Sequence, residues 1–320
     1  MKNKPIILVA SEPNSIFLEI FFKSIKLKKY KSPLVLICCK KILLNQMKQN
    51  KFKKKINILD LNNIKKYKLN NREINLIDIK CQTNNNKYSK ELTNEYIKKS
   101  FDLALNLIRN KFSNKLINGP VNKKTFLNKK FLGITEYISK KYKINKSGML
   151  IYNQGLSVCP VTTHLPIKLV AKKITKSLVK EKIILVNNFY KKNIKIKPKI
   201  GVVGLNPHCE SISKFNEDKE IISPIIKKLK NNGINVNGPF SADTIFNNKN
   251  RKIYDVIIGM YHDQVIAPLK TLFEFDAINI TMGLPFYRIT PDHGPNKEMV
   301  GKNISNPTSL IKALKFLDKR

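Results

Sequence analysis

Short, nearly continuous apolar runs alternate along this chain with longer, lysine-decorated stretches. The runs Ile6 to Ala10, Leu34 to Cys39, Leu116 to Asn118, Leu156 to Val161, Ile200 to Leu205, Asp255 to Met260 and Ala277 to Met282 read as strands. The stretches Asn94 to Arg109, Ile167 to Tyr190, Glu217 to Asn231 and Pro307 to Leu317 read as helices. Strands that are apolar throughout are buried on both faces, as in a mostly parallel sheet covered by helices. The expectation is an α/β, doubly wound fold. Residues 40 to 98, dense in Lys and Asn, are expected to be variable peripheral structure.

Length and composition sharpen this only in part. At 320 residues the chain exceeds a comfortable single core, so two domains or one large α/β unit is expected. The net charge of +39 would ordinarily suggest nucleic acid or an acidic membrane surface. Of the 61 basic residues, however, only Arg72, Arg109, Arg251, Arg288 and Arg320 are Arg. That imbalance fits compositional drift better than phosphate recognition, which favours Arg forks. The lysines are scattered and not interleaved with aromatics, so neither nucleic acid nor membrane is expected as a partner. Cys38, Cys39, Cys81, Cys159 and Cys209 show no CxxC spacing, which argues against a disulfide framework or a cysteine zinc site. With no secretory leader and no membrane-length apolar run, a cytoplasmic protein is expected.

The four histidines carry more information. Each sits in a short polar motif after an apolar run: Thr162-Thr163-His164, Asn206-Pro207-His208, Tyr261-His262-Asp263 and Pro291-Asp292-His293. Open α/β sheets bind ligands beyond the carboxyl ends of their strands. Three predicted strands deliver His164, His208 and His262 to that position, so these are the candidate metal ligands. Three imidazoles leave coordination positions open for substrate oxygens, as a catalytic site requires. Asp243, in a turn, reads equally well as a helix N-cap or a functional carboxylate. Lys270, Asn279 and Arg288 could together hold a phosphorylated substrate. The ordinary dinucleotide fingerprint is missing, and the segment Asp292 to Asn296, with His293, Gly294 and Asn296, is the best remaining nucleotide loop.

At these residues the chain resembles the 4-hydroxythreonine-4-phosphate dehydrogenase family of vitamin B6 biosynthesis. The matching stretches are Asn118 to Lys123, Gly133 to Tyr137, Val161 to Pro166, Gly204 to His208, Gly238 to Phe246 and Met260 through Gly294. The resemblance implies a two-domain, isocitrate/isopropylmalate dehydrogenase-like fold with a central cleft. Residues 1–120 plus about 290–320 would form one domain and about 121–289 the other, in a homodimer whose active site uses both subunits. It also implies NAD or NADP and one divalent ion, zinc, magnesium or cobalt, held by His164, His208 and His262. Thr135, Lys270, Asn279 and Arg288 would contact the substrate. The implied reaction oxidises 4-phosphooxy-L-threonine to 2-amino-3-oxo-4-phosphooxybutanoate, which decarboxylates to 3-amino-2-oxopropyl phosphate. Asp243 and Lys270 both remain candidates for taking the proton.

Three departures stand out. The family's Gly-His-Thr-Glu reads Gly133-Ile134-Thr135-Glu136, so a substrate-contacting imidazole is replaced by Ile134. The N-terminal Gly-rich signature reads Ser11-Glu12-Pro13-Asn14-Ser15-Ile16-Phe17, and Pro295-Asn296 follow where the family usually has Thr-Ala. The alternatives are a dehydrogenase for 4-phospho-threonate or 4-phospho-erythronate, or a decayed, non-catalytic homologue.

Overall fold

The computed structural model describes residues 3–81, 89–122 and 133–320. Two compact units emerge, Met1–Ile134 with Pro285–Arg320, and Thr135–Leu284. Lys123, in the matched stretch beginning at Asn118, lies outside the described residues.

The first unit carries β1 (Ile6–Val9), β2 (Leu34–Cys38), β3 (Ile56–Ile58), β4 (Ile74–Asp78), β5 (Lys115–Asn118) and β12 (Tyr287–Pro291). They lie in the order β3-β4-β2-β1-β5-β12, and every pairing is parallel. All residues of β1, β2 and β5 are buried, which explains why these strands read as continuous apolar runs. Helices α1 (Phe17–Leu27), α2 (Lys40–Gln49), α3 (Lys90–Arg109) and α8 (Thr308–Asp318) pack on this sheet or on one another.

Residues 40 to 98 are a correction to the sequence reading. They supply α2, two sheet strands and the start of α3, all integral to the unit. β4 buries Ile74 through Ile77, but its short run is flanked by the half-buried Glu73 and the exposed Asp78, which dilute the apolar signal.

The second unit carries β6 (Gly148–Tyr152), β7 (Ser157–Pro160), β8 (Ile200–Val203), β9 (Val236–Phe240), β10 (Val256–Gly259) and β11 (Ile278–Met282), in the order β11-β6-β7-β10-β8-β9. Strands β7, β10, β8 and β9 run parallel, while β6 is antiparallel to both neighbours. The four-residue link between β6 and β7 permits only that direction, since parallel neighbours need a long crossover. Helices α4 (Ile134–Lys141), α5 (Lys176–Phe189), α6 (Ser223–Asn231) and α7 (His262–Phe273) complete the described framework. The helix expected over Ile167 to Tyr190 is broken, because Thr175 caps a fresh start by accepting from the Leu178 N–H at 3.2 Å. Ile167, counted as part of its apolar pattern, is 69% exposed.

Candidate functional site

The site begins as a single register row. Ile258 of β10 pairs with Cys159 of β7 on one side and Val202 of β8 on the other. His262 follows Ile258 by four residues, His164 follows Cys159 by five, and His208 follows Val202 by six. Three adjacent parallel strands therefore release their histidines at one carboxyl edge, where such sheets bind ligands.

The His164 and His262 rings lie 5.7 Å apart between centroids. Two imidazoles sharing one zinc at ~2.1 Å metal–nitrogen distance place their centroids about 5 to 6 Å apart, so this pair fits a common ion. His262 Nδ1 lies 2.6 Å from Asp263 Oδ1, which leaves Nε2 as the nitrogen available to a metal. His208 is exposed in the adjacent loop, with Asp243 near enough to feel its charge. Among the described residues of this chain, no three His, Cys, Asp or Glu side chains converge closely enough to hold an ion.

The loop carrying His208 is strained and firmly held. His208 and Cys209 have φ of 53° and 61°, left-handed values that cost a non-glycine residue on the order of 1–3 kcal/mol. Asp218, 1% exposed, accepts from the Leu205 N–H at 2.6 Å and from the Asn206 N–H and Nδ2 at 3.0 Å each. Gly204 is required here, because a Cβ would lie 2.6 Å from both Asp218 Oδ1 and Cys209 Sγ.

Asp243 does not cap the short helix Ala242–Ile245, whose N-cap is Ser241. The Ser241 hydroxyl donates to Asp243 Oδ1 at 2.6 Å, and chiefly this bond holds the exposed carboxyl below its usual range. Lys270 moves the opposite way in usefulness, since burial pushes its ammonium below the ordinary lysine range. It lies on the i, i+4, i+8 ridge of α7 that starts at His262, about 12 Å along the axis.

Thr135 and His164 line one cavity of about 90 Å³, together with Glu136, Met149, Thr163 and Lys182. The Thr135 and Thr281 hydroxyls are 3.4 Å apart. Asn279 donates to Met149 Sδ at 3.3 Å, while its buried Oδ1 has no partner among the described residues. A polar ligand group would satisfy that oxygen. Ile134, by contrast, is 7% exposed.

Arg288, His293, Gly294 and Asn296 belong to the first unit. Arg288 is 3% exposed on β12 and its Nε donates to Asn118 Oδ1 at 2.8 Å. His293 rests 6.4 Å from the Phe17 ring, with Nδ1 2.9 Å from the Gly294 carbonyl. Its Nε2 is buried without a partner among the described residues, and burial pushes the imidazole below its usual range. The Ile16 N–H donates to the Pro295 carbonyl at 3.1 Å, joining this loop to the weakly legible Ser11 to Phe17 segment. An unsatisfied imidazole nitrogen at the carboxyl edge of parallel strands fits a site for a polar cofactor.

Sequence reasoning passed over Asp218 and assigned no role to Gln264. Asp218 lies ten residues after His208, outside the short motif that carries the histidine. Gln264 stood in plain view two residues after His262, but only one of its partners, the Met260 N–H, is local, and the other, the Gly204 carbonyl, belongs to another loop.

Comparison with known proteins finds similar sequences and similar folds. A family model described as pyridoxal phosphate biosynthetic protein PdxA matches residues 29–317. The 4-hydroxythreonine-4-phosphate dehydrogenase of Sulfurihydrogenibium sp. is 38% identical over 217 residues, covering 67% of each chain. That of Bradyrhizobium diazoefficiens is 38% identical over 188 residues, covering 58% of this chain and 54% of the relative. These alignments thus span roughly half to two thirds of the relatives' length. The crystal structure of the Klebsiella pneumoniae 4-hydroxythreonine-4-phosphate dehydrogenase shares the fold, with TM-score 0.82 at 24% identity and 98% of each chain covered.

Proposed function

Because the chain belongs to the family of the pyridoxal phosphate biosynthetic protein PdxA, whose named relatives are oxidoreductases, we propose that it oxidises 4-phosphooxy-L-threonine with NAD or NADP and one divalent ion. The product is 2-amino-3-oxo-4-phosphooxybutanoate, which loses carbon dioxide to give 3-amino-2-oxopropyl phosphate. The observation that carries this reading is the single register row from which His164, His208 and His262 depart.

His164, His208 and His262 would hold the ion, whether zinc, magnesium or cobalt. The paired rings of His164 and His262 fit one metal, and the third imidazole stands at the neighbouring strand end. A homodimer whose active site draws on both subunits belongs to this reading. When bound, the ion supplies Lewis acidity toward the substrate hydroxyl and the nicotinamide supplies the hydride acceptor.

The protein's own groups do the rest. Lys270, with its ammonium destabilised by burial, takes the hydroxyl proton more readily than Asp243, whose carboxylate is already stabilised by Ser241. Thr135 and Asn279 orient the polar end of the substrate, and Arg288 supplies a guanidinium whose Nε is already anchored on Asn118. His293, Gly294 and Asn296 are assigned to the cofactor, the buried Nε2 of His293 being free to meet it among the described residues.

A second reading rests on Ile134. With no imidazole at that position, a phosphorylated sugar acid such as 4-phospho-threonate or 4-phospho-erythronate is the alternative substrate. One assay separates the two: NADH or NADPH formation with each phosphorylated acid, with and without added zinc. Metal-dependent turnover of 4-phosphooxy-L-threonine, at least tenfold more efficient than of the others, is expected. Preference for a sugar acid would move the assignment, and no turnover of any of them would leave the decayed homologue.

A further inference from the structure

We propose that Gln264 is a positioning residue, a side-chain rung that clamps the His262 loop to the His208 loop and sets the separation of their imidazoles. The inference rests on the metal-site reading above and concerns what holds that site in shape.

The ladder between β10 and β8 includes the pair Ile258 and Val202. Two residues beyond that pair, just past the ends of β10 and β8, stand Met260 and Gly204. There the Met260 N–H donates to Gln264 Oε1 at 2.7 Å, and Gln264 Nε2 donates to the Gly204 carbonyl at 2.7 Å. A carboxamide has the donor and acceptor of a peptide group. Gln264 thus inserts a substitute peptide where the strands part, extending the sheet by one rung. Met260 is fully buried, and its carbonyl accepts from the Thr162 N–H at 3.1 Å and the Thr162 hydroxyl at 2.8 Å. The same residue therefore also ties in the loop that leads to His164. All three histidine loops meet at Met260 and its amide bridge.

Helix capping alone does not account for this geometry. Gln264 is the third residue of α7, the position from which a capping-box side chain reaches back to the N-cap N–H. Here the N-cap is Tyr261, the amide reaches one residue further back, and its other end crosses to a different strand. Space for the crossing depends on Gly259, where a Cβ would lie 2.9 Å from Gln264 Oε1 and 2.3 Å from Val265 Cγ1. On the far side of the His208 loop, Asp218 grips Leu205 and Asn206, so the strained His208 backbone is held from both directions.

The test uses the 320-residue chain, with zinc affinity measured by competition against a chromophoric chelator. Gln264→Glu keeps an acceptor for the Met260 N–H but turns the donor facing Gly204 into an acceptor, so it cuts only the crossing arm. Gln264→Ala removes both arms. Outer-shell partners of metal ligands typically contribute about ten- to a hundredfold in affinity, and Gln264→Glu should weaken zinc binding at least tenfold while circular dichroism stays native. Excess zinc should restore its kcat, with KM for the nicotinamide unchanged. Combined with His208→Ala, Gln264→Glu should add little further loss. Zinc affinity of folded Gln264→Glu within twofold of wild type would overturn the clamp while leaving the metal site standing. A wild-type protein that binds no zinc, magnesium or cobalt would overturn the metal reading, and the clamp with it.

Discussion

Ile134 shows how much a single residue decides. At 7% exposure it is packed rather than left behind in a binding pocket. Ile134→Val should therefore cost about 0.5–1.5 kcal/mol in denaturant unfolding and leave KM for the substrate unchanged. Ile134→His buries a polar ring and should lower Tm. A KM drop above tenfold in the His variant would show instead that the imidazole reaches the substrate. Lys270 makes a second test at this scale. Its lowered pKa means that the neutral, proton-accepting amine appears at lower pH than for an ordinary lysine. Turnover should rise with pH through that lowered value, and the rising limb should vanish in Lys270→Met. An unchanged profile in that variant would assign the proton to another group.

At the scale of elements, the loop between β8 and α6 carries the most concentrated demand. Asp218→Ala removes one buried acceptor that serves two backbone N–H groups and the Asn206 amide. Leaving a buried donor unpaired costs about 1–3 kcal/mol, and these three donors are only partly buried, so the variant should lose about 2–5 kcal/mol in urea unfolding and bind metal weakly. A loss below 1 kcal/mol would mean that water replaces the carboxylate. The same scale explains which elements were legible. β1, β2, β5, β7, β8, β10 and β11 were found within a residue or two because burial on both faces leaves almost no polar interruption. β9 escaped because Gly238-Pro239 interrupts it, and β12 because Arg288 and Thr290 break its apolar run. α7 escaped because Pro268 lies inside it, although its first four residues include the His262 and Gln264 on which the site depends.

For the molecule as a whole, the charge of +39 is expected to be chemically diffuse. Binding to duplex DNA should be weak, indifferent to sequence and lost steeply between 50 and 200 mM salt, as about 10³-fold or more for several phosphate contacts. Sequence-selective binding that survives physiological salt in a mobility-shift assay would contradict this. Among the described residues no helix is long and apolar enough to cross a membrane. Shared active sites make a further demand on the assembly. If each site draws on two subunits, some pairs of inactive single variants from the set His164→Ala, His208→Ala, His262→Ala and Arg288→Met should regain activity when refolded together. One intact site in half of the dimers returns roughly a quarter of wild-type activity. Failure of every pairing would place each site within one chain.

The chain's sequence alone determined the α/β architecture, the carboxyl ends of the decisive strands and the histidines that follow them. It could do so because buried parallel strands write a continuous apolar signal and a rare titratable residue after each one stands out. Tertiary structure decided what those signals omit. Register placed three histidines beyond one row, although 44 and 54 residues separate them along the chain. It turned β6 against its neighbours, broke the expected helix at Thr175, and drew Asp218 and Gln264 into the support of the site. The direction of β6 follows from its short link to β7 and the break at Thr175 from a local cap. Asp218 and Gln264, by contrast, meet Leu205, Asn206 and Gly204 only once the sheet has brought the strand ends together.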